Sequence, residues 1–186
     1  MEEIKDQLEA ESLLKKHGVL VGARGAGELM LHSARLGLVN VMNFFRQSVP
    51  TDFANKFGDT ALHYAAKGGH KEIVQDMLDS GLSPLAKNLF GETPLFYAAE
   101  EGHKDVVEIL AKYGSVEVQD KFGDTALHFA AREGHEETCI VLLQHNRLVI
   151  NVLNENNQTA LAYALEMGHL DLAKTLERYG GRVYVS

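Results

Sequence analysis

Gly58–His70 reads GDTALHYAAKGGH, Gly91–His103 reads GETPLFYAAEEGH, and Gly123–His135 reads GDTALHFAAREGH. A looser fourth version, Asn157–His169, reads NQTALAYALEMGH. The opening threonines Thr60, Thr93, Thr125 and Thr159 are 33, 32 and 34 residues apart, and the closing histidines His70, His103, His135 and His169 keep the same steps. Two landmarks recurring in phase four times specify a stack of supersecondary units, each needing its neighbours to bury its apolar face.

Each word makes physical sense residue by residue. Gly58, Gly91 and Gly123 stand where a tight hairpin needs a backbone free to take positive φ. The threonine two residues on is a good N-cap for a following helix. Pro94, straight after Thr93, occupies a first helical position, where a missing N–H costs nothing. The pairs Ala65-Ala66, Ala98-Ala99 and Ala130-Ala131 keep that helix thin enough for close stacking. Gly69, Gly102, Gly134 and Gly168 then end it in a left-handed cap. A second helix follows, with apolar pairs Ile73/Val74 and Met77/Leu78 in one unit and Val106/Val107 and Leu110/Ala111 in the next. That spacing gives a wide apolar face, suited to a helix wedged between two others.

These words and this period resemble the ankyrin repeat family over residues 26–182, most strongly over 55–145. GELMLHSARLGLVNVMNFFRQS (27–48) fits the same register with Ser33-Ala34 and Gly37 but lacks the Thr-x-Leu-His opening, as a degenerate first repeat would. The last repeat has Ala162 in place of the helical histidine and Asn157 in place of the turn glycine, a residue that tolerates positive φ. The resemblance implies an all-α solenoid of helix-turn-helix units with β-hairpin fingers. About five repeats are expected (26–54, 55–87, 88–119, 120–153, 154–182), the first and last acting as caps. Residues 1–25 would form an N-terminal helix, ended at His17-Gly18, and a glycine-rich connection; 183–186 would be a tail.

The 186 residues are 45% apolar and carry 18 Lys+Arg against 26 Asp+Glu, a net charge of −8. The acidic surplus argues against direct binding of nucleic acid phosphates. No apolar run is long enough to cross a bilayer, and no stretch reads as a signal peptide. The lone Cys139 falls in the apolar column of Val74 and Val107, so it reads as a core thiol in a reducing compartment, the cytoplasm or nucleus.

Chemistry-bearing motifs are sparse. His63 and His128 lie in the Thr-x-Leu-His words and four further histidines in the Gly-His words. Recurrence once per unit marks structural slots, and no Cys/His spacing suits zinc. Gly22-Ala23-Arg24-Gly25-Ala26-Gly27 lacks the Gly-Lys-Ser/Thr ending of a phosphate loop and the spacing of a dinucleotide site. Nothing resembles a nucleophile elbow. No enzyme, cofactor or metal is expected.

The hairpin tips carry the functional signal. Phe57, Phe90 and Phe122 precede the turn glycines in step with the array, with Leu89 beside the middle one and Lys56 and Lys121 beside the others. A row of exposed apolar residues marks an interaction surface. Beside it runs an acidic rank: Asp59, Glu92 and Asp124 after the turn glycines, then Glu100, Glu101 and Glu133 at the ends of the first helices, with Arg132 interleaved. By family resemblance the acids at the helix ends, Glu100, Glu101 and Glu133 with Glu166, lie on a concave side. The expected protein is a monomeric adaptor that masks or bridges partners, its partner carrying apolar anchors and basic residues. The rival expectation is a targeting module of a larger enzyme or channel.

Overall fold

A computed structural model describes residues 7–18, 25–50, 52–114 and 116–184. Residues 1–6 and most of the glycine-rich connection, at 19–24, lie outside the described residues. The helices are α1 (Gln7–Lys16), α2 (Ala26–Leu36), α3 (Val39–Arg46), α4 (Ala61–Gly68), α5 (Lys71–Asp79), α6 (Pro94–Glu100), α7 (Lys104–Tyr113), α8 (Ala126–Arg132), α9 (Glu136–His145), α10 (Ala160–Glu166) and α11 (Leu170–Arg178), with a 3₁₀ turn at Arg147–Asn151. The protein is all-helical, and among the described residues no strand forms.

Local chemistry sets each pair. Thr60, Thr93, Thr125 and Thr159 hold extended backbone ahead of α4, α6, α8 and α10. Thr60 and Thr125 complete capping boxes in which His63 and His128 bond back to the threonine N–H; reciprocal bonds of this kind satisfy two otherwise orphaned groups at a helix start. At the other end of α6, Gly102 has a φ of 73°, and the N–H of His103 bonds the carbonyl of Ala98 at 2.9 Å. Left-handed geometry thus closes the helix and turns the chain into α7.

The pairs stack in sequence: α2, α4, α6, α8 and α10 pack each on the next, and α5, α7 and α9 do likewise behind them. The alanine pairs are fully buried in the first row. Ile73, Val74, Met77, Leu78, Val106, Val107 and Leu110 close the layer beneath. Cys139 is buried among them, and desolvation pushes its thiol well above the ordinary range, which leaves it an unreactive core group. Helix α1 lies on α2 and α3, covering the start of the array with Ala10 and Leu14 and leaving Leu8 in solvent.

The hairpin arms expected from the sequence do not extend into strands. One isolated bridge joins Ala54 to Thr60, and the links between pairs are tight turns. In the first, Gly58 N–H bonds Asn55 O at 2.9 Å and Asn55 N–H bonds Asp59 O at 3.0 Å. The same pair of bonds recurs at Asn88, Asp120 and Asn154. This is a three-residue loop whose last position is left-handed: Gly58, Gly91 and Gly123 at 84°, 85° and 78°, and Asn157 at 57°.

Candidate functional site

Four turns stand in line along one edge, each organised by one side chain. The Asn55 Oδ1 accepts the N–H of Phe57 at 2.8 Å and of Asp59 at 2.9 Å. Asn88, Asp120 and Asn154 repeat both bonds. Each tip is then tied to the next: Leu89 N–H to Phe57 O at 2.8 Å, Lys121 N–H to Phe90 O at 2.8 Å, and Glu155 N–H to Phe122 O at 2.9 Å. Backbone bonds therefore hold the tip side chains in register. Phe57, Phe90 and Phe122 are 44%, 43% and 56% exposed, and Leu89 57%. The Phe57 and Phe90 rings stack at 6.5 Å with planes 29° apart, and the Lys56 ammonium lies 4.8 Å above Phe57. Lys121 is in solvent.

The acidic rank divides. Asp59 and Asp124, expected in the partner-binding rank, are only 6% and 7% exposed. Asp59 Oδ1 accepts the Asn88 amide at 2.9 Å and the Tyr97 hydroxyl at 2.8 Å, while its Oδ2 accepts the Asn55 amide at 3.1 Å. Asp124 takes the Asn154 amide at 2.9 Å and the Tyr163 hydroxyl at 3.4 Å. These aspartates are rivets between adjacent turns. Their burial follows from donors about one repeat away in sequence, which a reading of the turn alone does not count.

Glu92 is half-buried and holds the Asn88 amide at 2.8 Å; burial pushes its carboxyl above the ordinary range, with help from nearby acids. Glu100 bridges Lys67 at 3.4 Å and Arg132 at 3.2 Å. Lys67 also reaches Glu101, and Arg132 reaches Glu133. Glu101 and Glu133 are exposed, so these pairs act on the surface field more than on stability.

Tips and first helices together enclose an open hollow of about 280 Å³ lined by Lys67, Phe90, Glu92, Phe96, Tyr97, Glu100 and Phe129. It lies at the low end of small-molecule pockets and suits one inserted side chain. A comparable hollow, about 300 Å³, opens near Asp52, Thr60 and Ser80–Ala86 and includes none of the tip phenylalanines.

The repeated histidines are engaged. Nε2 of His70, His103, His135 and His169 meets the carbonyls of Arg35, Lys67, Glu100 and Arg132 in the preceding pair at 2.8–3.1 Å. His63 and His128 bridge onward to the Glu92 and Gln158 carbonyls at 3.2 and 3.1 Å. Among the described residues, no group of three or more His, Cys, Asp or Glu is placed to hold a metal ion.

Two columns of site residues escape the word-by-word reading of the sequence. Asn55, Asn88, Asp120 and Asn154 lie five residues before each threonine, and Tyr64, Tyr97, Phe129 and Tyr163 four after it. Their signal is the column itself, visible once the units are aligned.

Helix pairs closed by left-handed turns and joined by histidine bridges define a helical-repeat protein. A family model for ankyrin repeats, holding three copies, matches residues 29–120 and again 114–185, so the chain belongs to the ankyrin repeat family. No curated protein matches it. Ankyrin repeats are in general protein–protein interaction modules, typically without catalytic activity. Among the described residues no helix is long and apolar enough to cross a membrane.

Proposed function

We propose that the chain is an adaptor that binds one partner protein across the turn tips and the adjoining face of the first helices. The observation that carries this reading is the row of solvent-facing Phe57, Leu89, Phe90 and Phe122, held at fixed spacing by backbone bonds between turns. Preorganised aromatic side chains bind at a low entropic cost. Glu101 and Glu133 add exposed negative charge at the C-terminal ends of the first helices, while Lys56 and Lys121 bring positive charge to the tips. The fitting partner segment carries apolar anchors with lysine or arginine beside them. Action is by occupancy: the bound segment is masked, or brought beside a second protein.

In the finer reading the array is a monomeric solenoid of five repeats, with α2–α3 and α10–α11 as caps and the turns serving as fingers, working in the cytoplasm or nucleus. Crosslinking capture from lysate, with wild type beside Phe90→Ala, tests the binding face. Equal recovery of the same protein by both baits would remove the row from the interface.

A further inference from the structure

One junction departs from the rule kept by its neighbours. Between the first and second turns, the Asp59 carboxylate receives the Asn88 amide and the Tyr97 hydroxyl. Asp124, facing the fourth turn, receives the Asn154 amide and the Tyr163 hydroxyl. Between the second and third turns the acid is Glu92, and the residues in the matching donor columns are Asp120 and Phe129, neither of which donates. The histidine column departs here too. His63 and His128 bond the next turn's carbonyl, whereas Phe96 meets Phe129 edge-on at 5.4 Å with no polar atom to offer.

Four departures at one place leave acceptors without donors. Asp120 Oδ1 still caps its turn. Its Oδ2 holds the position that the amide nitrogen takes in Asn88 and Asn154, the edge turned toward the neighbouring acids. That oxygen is buried without a hydrogen-bond partner in a residue only 9% exposed. Burial and the charge of Asp124 push the Asp120 carboxyl up, and burial with the Asp120 charge does the same to Glu92. Among the described residues no ion pair reaches Glu92, Asp120 or Asp124; Lys67 and Arg132 are committed to Glu100, Glu101 and Glu133. The 280 Å³ hollow opens at this junction, with Glu92 in its wall beside Phe90 and Phe129; Lys67 in the same wall is held by Glu100 and Glu101, and the Arg132 guanidinium lies 4.7 Å over the Phe129 ring.

We propose that this junction is a socket for one lysine or arginine side chain of the partner protein, its charged end on Glu92 in the field of Asp120 and its methylene stem on Phe90. The inference rests on the binding face proposed above and names what enters it. Aromatic walls favour a cation carried on an aliphatic stem over a bare ion. Copying the other junctions closes the socket from inside: Asp120→Asn returns an amide donor and Phe129→Tyr a hydroxyl.

The probe is the tripeptide acetyl-Leu-Arg-Phe-amide, titrated at millimolar concentration into the whole chain and followed by amide NMR. The same peptide with neutral citrulline for arginine is the control. Wild type is expected to show saturable shifts at Glu92 and Phe129, with binding at least tenfold weaker for citrulline and for the Asp120→Asn/Phe129→Tyr variant. That variant should also melt higher, which separates lost binding from lost fold. Absence of saturable shifts, equal binding of citrulline, or undiminished binding by the repaired variant would overturn the socket. So would calcium chloride alone moving the same amides at stoichiometric ratio, which assigns the acids to a metal. A failed socket with Phe90→Ala still weakening partner capture leaves the binding face standing; loss of both removes both.

Discussion

At the scale of single residues, identical letters do different work according to what the neighbouring turn supplies. Asp120 keeps its backbone bonds but has no donor for Oδ2. Its carboxyl is raised by burial, so the folded chain binds a proton there more readily than the unfolded chain. The group therefore destabilises the fold at neutral pH, and the penalty fades as pH falls through the raised value toward the ordinary one of about 3.9. Asp120→Asn should raise stability by about 1–3 kcal/mol at pH 7, with the gain shrinking on acidification. Urea unfolding at several pH values measures it; a gain independent of pH, or a loss, contradicts the account. Gly102 offers a second residue-scale test. Its φ is 73°, and a Cβ would stand 2.6 Å from the His135 ring. Gly168 has a φ of 79°, yet among the described residues nothing lies within 4 Å of that position. Both valines incur left-handed strain of about 1–2 kcal/mol, but only Gly102→Val also displaces a histidine bridge. It should melt well below Gly168→Val; equal melting temperatures would show that the stacked imidazole yields freely.

At the scale of elements, each turn has a wet side and a dry side, and the two sides answer to different measurements. Phe90 lies at the tip, half in solvent and stacked on Phe57. Phe90→Ala should weaken partner binding by about thirtyfold, the roughly 2 kcal/mol of an aromatic anchor, while shifting the melting temperature by no more than a degree or two. Asp59, two residues beyond Phe57 in the preceding turn, faces inward with donors from Asn55, Asn88 and Tyr97. Asp59→Ala takes the acceptor from the Tyr97 hydroxyl and one of the acceptors from each amide, and should cost about 1–3 kcal/mol in stability, with affinity of the folded fraction unchanged. Paired calorimetry and binding on the two variants decides the assignment. If Phe90→Ala melts several degrees lower and binds normally once folded, the aromatic row is packing.

At the scale of the molecule, the seams between pairs set the response to acid. His63 and His128 join one turn to the next, and burial holds both below the ordinary histidine value despite nearby acids that favour the charged form. The unfolded chain binds their protons first, so stability is present above about pH 6.5 and is lost as pH falls toward their depressed folded values. In an array whose units are stable only on their neighbours, charging two seams weakens the whole stack. NMR titration should place both imidazoles below the ordinary value, with unfolding free energy declining from about pH 6.5 downward; titration at or above that value would remove the seams as the acid-sensitive element.

The sequence by itself determined the period, the helix pairs, the left-handed turns and the aromatic tips. These depend on local backbone constraints: a threonine cap, a glycine or asparagine at positive φ, an alanine pair, repeated until their phase is unmistakable. The one local element that went further than its residues allow is the hairpin arm. The turn at each tip forms and its tip residue bonds the next turn, but among the described residues no ladder extends beyond the single bridge of Ala54 with Thr60. Only the tertiary structure decided which acids face inward. Asp59 and Glu101 look alike along the chain; Asp59 is buried because Asn88, 29 residues away, lands its amide on it, while Glu101, paired with the Lys67 ammonium at 3.3 Å, stays exposed. The same holds for Asp120 and Phe129, ordinary in their own turn and significant only where they face Glu92. Burial and unmet hydrogen bonding belong to pairs of turns, and a pair exists only once the stack has formed.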